Sequence, residues 1–197
     1  MFYNCITKIF EIIVKTRYKV EIIGEENIPL EGGCIIAPNH KSNWDALIIS
    51  GLLKKRKLNA LAKKELFKNP ILKTLLVQFS VIPVDREKPE LSTIKTVLKV
   101  LKNKEVMVIF PEGTRHKDLD TFADAKPGIG MFALKSKTPI IPVSFVTNYK
   151  MLSKLTIIID IPMDFDDIYT KKIDSEDYEK VSKTVMNKII DNYSSKR

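Results

Sequence analysis

The heptad Asn39-His40-Lys41-Ser42-Asn43-Trp44-Asp45 holds one of the chain's two histidines and, five positions later, a carboxylate. On one unbroken helix that spacing turns the two side chains about 140° apart. They meet only if His40 lies in a turn and Asp45 in the first turn of the helix that follows. A carboxylate so placed holds the imidazole in one tautomer and stabilises the imidazolium as it forms, which suits His40 to act as a general base near neutral pH. There is no serine nucleophile motif of the Gly-x-Ser-x-Gly type, so the nucleophile of such a pair would be a hydroxyl of the substrate. A turn histidine beside a helix-capping aspartate gives the same spacing without any chemistry.

Phe110-Pro111-Glu112-Gly113-Thr114-Arg115 follows a strongly apolar run. Gly113 lets the backbone approach a ligand closely, Thr114 offers a hydroxyl, and Arg115 a planar fork suited to phosphate or carboxylate. Glu112, when ionised, repels phosphate, so its expected role is to orient Arg115 or another cation. Asp85-Arg86 puts a second guanidinium at a strand end, and Lys126-Pro127-Gly128 leads into a helix whose N-terminus can face an anion. The basic run Lys54-Lys55-Arg56-Lys57, with Lys63 and Lys64 nearby, is a solvated face or a surface for anionic headgroups or an acidic carrier. Each segment alone also fits an ordinary turn with a surface cation.

The elements that must position these groups alternate in type. Short β-branched runs at 19–23, 34–38, 58–62, 81–85, 106–111, 140–147 and 155–161 read as strands. Helical patterns cover 44–55, with Ser42 or Asn43 as cap, 64–79, bent or broken near Pro70, 89–103, 128–136 and 175–193. This alternation predicts a single α/β domain, with a mostly parallel or mixed sheet flanked by helices. Ligands gather at strand ends in such sheets, and most of the segments above fall there.

The first 17 residues stand apart. Phe2, Ile6, Ile9, Phe10 and Ile13 recur at helical spacing, with Lys8, Lys15 and Arg17 on the flanks. That describes a helix lying in the headgroup layer of a membrane or an ordinary amphipathic helix closing the core. The expected organisation is thus an amphipathic helix at 1–17 and the domain at 18–197. No run reaches the 18 or so apolar residues that cross a bilayer. A net charge of +9 points to an anionic partner: nucleic acid, an acidic membrane surface or a phosphorylated substrate. Cys5 and Cys34 are too few for a disulfide framework, which suits a reducing cytoplasm.

Taken together the blocks resemble the lysophosphatidic acid acyltransferase family, the glycerolipid acyltransferases with an Asn-His-x4-Asp signature. Asn39-His40 with Asp45 resembles the first block, the run from Phe79 to Arg86 the second, Phe110 to Arg115 the third, and Ile140-Ile141-Pro142-Val143 the fourth. The order and rough spacing also fit, over about residues 18–148. The chain departs from the pattern at Pro83, inside the second block, and at Ala125, where the family often has phenylalanine before the lysine.

The resemblance implies a glycerolipid acyltransferase-like fold and transfer of a fatty acyl group from acyl-CoA or acyl carrier protein to the sn-2 hydroxyl of lysophosphatidic acid. His40 would be the general base and Asp45 its orienting partner. Lys63, Arg86, Gly113, Thr114 and Arg115 would hold the acceptor's phosphate, with Glu112 in support and Pro142 shaping the catalytic turn. The implied partners are a lysophospholipid, an acyl thioester and a membrane surface, with an acidic acyl carrier protein as one donor. No cofactor beyond the acyl thioester, no metal and no nucleic acid is implied, and the expected location is the cytoplasmic face of a membrane. An acceptor with another headgroup, or a non-catalytic module that binds anionic lipid, are the alternatives.

Overall fold

The computed structural model describes residues 2–85, 90–170 and 172–197. Its centre is β2 (Cys34–Pro38), in which every residue is buried. Cys34 and Ile36 pack on one face of the sheet, Ile35 and Ala37 on the other. A strand apolar on both sides must be covered on both sides, and helices supply the cover.

The remaining strands are β1 (Lys19–Ile23), β3 (Leu58–Lys63), β4 (Val81–Val84), β5 (Val106–Val108), β6 (Ile140–Val146) and β7 (Lys154–Ile159). They form one sheet in the order β1-β7-β6-β2-β5-β3-β4. Every pairing is parallel except β6 with β7. The block from β6 to β4 therefore runs in one direction, and β7 and β1 run against it.

The helices are α1 (Phe2–Arg17), α2 (Trp44–Leu52), α3 (Pro70–Gln78), α4 (Leu91–Lys102), α5 (Gly128–Ser136) and α6 (Ser175–Ser195). Val14 of α1 and Ile48, Ile49 and Leu52 of α2 share one core with the first face of the sheet. Val97 of α4, Phe132 of α5 and Val185 of α6 share the other. Helix α6 opens on a capping box, in which the Asp174 side chain accepts from Asp177 N–H and the Asp177 side chain accepts from Asp174 N–H.

Several boundaries differ from the sequence pattern for local reasons. The 64–79 pattern divides into a 3-10 turn at Lys64–Lys68 and α3, because Asn69 Oδ1 accepts from Leu72 N–H (3.1 Å) and caps a helix whose first residue is Pro70. β5 stops at Val108, since the next residues turn: Gly113 N–H donates to Phe110 O at 3.0 Å. α2 ends at Leu52, short of the basic run. Neither expected side-chain cap forms in the usual way: Asn43 is at the cap position without a capping bond, and Ser42 Oγ accepts only from Trp44 N–H. Pro89, expected in the first turn of α4, is outside the described residues.

The N-terminal helix uses two faces. Thr7 and Val14 are buried, and Phe10 stacks on Phe79 (ring centroids 5.5 Å apart). A Cβ on Gly51 of α2 would stand 2.7 Å from Glu11 N, so glycine lets the two helices touch backbone to backbone. The opposite face leaves Ile9, Ile12 and Ile13 exposed. Among the described residues no helix is long and apolar enough to cross a membrane.

Candidate active site

Strand β2 ends at Pro38, and its continuation is tied to the sheet by a side chain that imitates a strand. Asn39 Oδ1 accepts from Phe145 N–H (2.7 Å), while its Nδ2 donates to Phe145 O (3.3 Å). Asn39 N–H donates to Val143 O. These bonds to β6 send the chain sideways at His40 and into α2.

The turn brings His40 and Asp45 together. Nδ1 of His40 is 2.9 Å from Asp45 Oδ2. That oxygen also accepts the backbone N–H groups of Lys41 and Ser42, each at 2.8 Å. An oxygen receiving two N–H donors is an acceptor, so the ring nitrogen facing it carries the proton and Nε2 keeps its lone pair. Asp45 is fully buried, whereas the His40 side chain retains 14% exposure. The imidazole stacks on Phe110, ring centroids 4.0 Å apart.

Glu112 braces the turn from the loop after the neighbouring strand β5. Its Oε1 accepts from His40 N–H (2.7 Å) and its Oε2 from Ala123 N–H (3.3 Å). Glu112 is fully buried, and burial raises its carboxyl above the ordinary value, against the lowering effect of the His40 and Ala123 N–H bonds. Of the cations expected to pair with it, Arg115 or another, the Arg115 guanidinium lies elsewhere and donates from Nη1 to Asn43 Oδ1. The cation beside Glu112 is Lys41, buried next to the turn. Its ammonium donates to the carbonyls of Asp118 (2.8 Å) and Thr121 and sits 3.8 Å from the centre of the Phe122 ring. Desolvation lowers its pKa. The long loop between β5 and α5 is thereby strapped to the His40 turn.

Beside Phe110 opens a cavity of about 950 Å³ at the ends of β3, β4 and β5. Lys63, Lys64, Gly113, Thr114 and Lys126 line it, over an apolar floor that includes Ile94, Val108 and Phe132. Gly113 has a φ of +67°, and a Cβ there would press on the Lys126 side chain at 3.0 Å. Lys63 faces Glu65 at 3.8 Å, and Lys64 pairs with Asp85.

The structure thus gathers His40 and Asp45 into one hydrogen-bonded pair, and Lys63, Gly113 and Thr114 into one cavity. Arg115 and Glu112 belong to the adjoining turn, Glu112 with no exposed surface. Pro142 is buried in β6 beside Ala37 of β2. Arg86 is outside the described residues. Two participants escaped the sequence reading. Lys41 stood inside the first motif without a role. Tyr149, whose hydroxyl donates to Asp45 Oδ1 at 2.6 Å, stands 104 positions away in no motif.

A buried carboxylate bonded to an imidazole past the end of the central strand of a largely parallel sheet, beside a lysine-rimmed cavity, places the candidate site where α/β enzymes carry theirs. Residues 19–146 match the acyltransferase family model. The chain belongs to the acyltransferase family and is an O-acyltransferase. It is 34% identical over 144 residues to the 1-acyl-sn-glycerol-3-phosphate acyltransferase of Bacillus subtilis (strain 168), a match covering 73% of this chain and 70% of that protein. With the protein of the same description from Streptococcus pneumoniae, identity is 31% over 161 residues, covering 79% of this chain and 58% of the relative. The crystal structure of the 1-acyl-sn-glycerophosphate (LPA) acyltransferase PlsC from Thermotoga maritima has the same fold, with a TM-score of 0.75 at 23% identity. That match covers 98% of this chain and 80% of the other.

Proposed function

We propose that the enzyme transfers a fatty acyl group from acyl-CoA or acyl carrier protein to the free sn-2 hydroxyl of lysophosphatidic acid, giving phosphatidic acid. The observation that carries the chemistry is the 2.9 Å bond from His40 Nδ1 to Asp45, which leaves Nε2 as the acceptor of a proton. The acceptor comes from the relatives, two of which are described as 1-acyl-sn-glycerol-3-phosphate acyltransferases.

In this reading the acceptor hydroxyl gives its proton to His40 Nε2 as its oxygen bonds to the thioester carbonyl carbon. Asp45 stabilises the imidazolium. The tetrahedral adduct then collapses, the carbon–sulfur bond breaks, and the proton passes from Nε2 to the departing sulfur. The products are an ester and a free thiol. Lys63, Gly113 and Thr114, with Arg115 beside them, receive the acceptor's phosphate and hold its hydroxyl toward the base, which lowers the entropic part of the barrier. Arg86 is assigned to the same phosphate on the family pattern. The division at residue 17 makes α1 (Phe2–Arg17) a membrane-contacting helix and 18–197 the catalytic domain. Ile9, Ile12 and Ile13, flanked by Lys8 and Lys15, lie against the cytoplasmic face of the membrane. The enzyme needs no cofactor beyond its acyl donor.

The test is transfer of a labelled acyl group, from each donor in turn, to lysophosphatidic acid in vesicles. Wild type should make phosphatidic acid, and His40→Ala should lose about 1,000-fold or more, within the range that general-base groups supply. Near-normal transfer by the folded variant would remove His40 as base. Failure of wild type with both donors would remove the acceptor.

A further inference from the structure

We propose that Tyr149 is a positioning residue for the base: its hydroxyl holds Asp45, and Arg17, at the end of α1, holds Tyr149. The inference rests on the reading of His40 and Asp45 just given.

The two oxygens of Asp45 are held differently. Oδ2 receives the imidazole and two backbone N–H groups. Oδ1 receives the Tyr149 hydroxyl at 2.6 Å, from the segment that follows β6. The soft motion of the carboxylate is rotation about its Cβ–Cγ bond. Three bonds hold Oδ2 against it and the Tyr149 bond holds Oδ1, so the hydroxyl stiffens that torsion and with it the direction in which His40 points. Asp45 has no exposed surface, so water does not readily replace the hydroxyl if it is lost. Burial, and the Asp45 charge beside it, push the phenol's pKa upward, which keeps Tyr149 protonated and donating.

Tyr149 is itself held at a cost. Its φ is +59°, in the left-handed region that disfavours residues other than glycine. Such backbones persist where surrounding contacts over-determine them, and they cluster at functional sites. Here bonds within the loop, such as Tyr149 N–H to Thr147 Oγ1 at 3.3 Å, are joined by two from α1. Arg17 Nη2 donates to Tyr149 O at 3.1 Å, and Leu152 N–H donates to Arg17 O at 2.7 Å. The same guanidinium lies 4.2 Å from the centre of the Trp44 ring, on the residue before Asp45. Arg17 thus clamps the Tyr149 loop and the first residue of α2 together around the buried carboxylate. The seating of α1, whose outer face exposes Ile9, Ile12 and Ile13, is tied to the base by two side chains.

Tyr149→Phe keeps the ring and removes the bond. In the vesicle assay it should lower kcat about 10- to 100-fold, the scale of a small misplacement of a reacting group. KM for lysophosphatidic acid should stay within about twofold, because the phosphate site is untouched. The acidic limb of the kcat–pH profile should move to higher pH, since losing a donor leaves more charge on Asp45 facing the imidazolium. Arg17→Met should lower kcat in the same direction, and the double variant should lose little more than Tyr149→Phe alone. Wild-type kcat and pH profile in Tyr149→Phe, with His40→Ala inactive beside it, would overturn the proposal and leave the reaction standing. Should wild type transfer nothing, proton NMR of the imidazole replaces turnover. The Nδ1 proton signal, identified by its loss in His40→Ala, must shift in Tyr149→Phe, and an unmoved signal overturns the proposal.

Discussion

The backbone N–H of His40 donates to the carboxylate of Glu112 at 2.7 Å, joining the turn after β2 to the loop after β5. The His40 turn is therefore held from the loop that follows the next strand of the sheet.

Glu112 should show its burial in the pH dependence of stability. Its folded-state pKa is raised, so the folded protein keeps that proton to a higher pH than the unfolded chain does. Unfolding then releases a proton between the two values, and stability contributed by this group falls as pH rises through that interval. Glu112→Gln carries no such dependence. Denaturant titrations from pH 4 upward should show the variant gaining on wild type as pH rises. A parallel pair of curves would mean that the carboxyl is not raised.

Asn39→Ala should be costly for the fold itself. The side chain satisfies both the N–H and the C=O of Phe145, and Asn39 and Phe145 are fully buried. Leaving two buried backbone groups unpaired should cost about 3 kcal/mol, or roughly 6–12 °C in Tm for a chain of this size. Thermal unfolding measures it. A loss below about 1 kcal/mol would mean that the strand end finds other partners.

Lys63→Ala and Arg115→Ala should act on acceptor binding more than on chemistry. Each removes a cation from the proposed phosphate site, and both side chains are at least partly open to solvent. KM for lysophosphatidic acid should rise about tenfold, with kcat changed less, and the effect should shrink as salt rises. A fall in kcat at constant KM would place these residues with the reacting groups instead.

Glu11 ties α1 to the end of α2 through Lys54 and to its own helix through Lys15 (2.7 Å). The Lys15 bond and then the Lys54 bond lower its pKa from 4.5 to about 2. A depressed acid contributes stability that is present above the unfolded value and lost as pH falls toward the folded one. Acid titration should find that part lost between pH 4.5 and about 2 in wild type and missing from Glu11→Gln. Salt should weaken it, as expected for a partly exposed pair.

Much of this molecule could be read from local pattern. Seven apolar runs became seven strands; the signal is continuous in β2, β5 and β6, every residue of which is buried. The pairing of His40 with Asp45 follows from a strand, a turn and a helix in sequence. Gly113, with its positive φ, is in the turn that its residue type invites.

Contacts at a distance were not readable. The residues of β7 do not record that it runs antiparallel to β6; only the connection 147–153, too short for a parallel crossover, does, once the two strands are known to be neighbours. Which way the apolar stripe of α1 faces, membrane or core, was also open in the sequence; contact with Gly51 of α2 chose the inner face, burying Val14 and leaving Ile9 and Ile13 exposed. Glu112 turned from Arg115 to the His40 turn because only the packed sheet shows which donors lie within reach of a buried carboxylate.

By itself the sequence determined the kinds of element, their order and the residues able to do acid–base chemistry, since these depend on side-chain type and near neighbours. The tertiary structure alone decided which groups meet across long stretches of chain. Tyr149 reaches Asp45 over 104 positions, and Arg17 reaches Tyr149 over 132. Contacts between such distant residues form only when separate helices and strands dock on one sheet, and no local spacing encodes that docking.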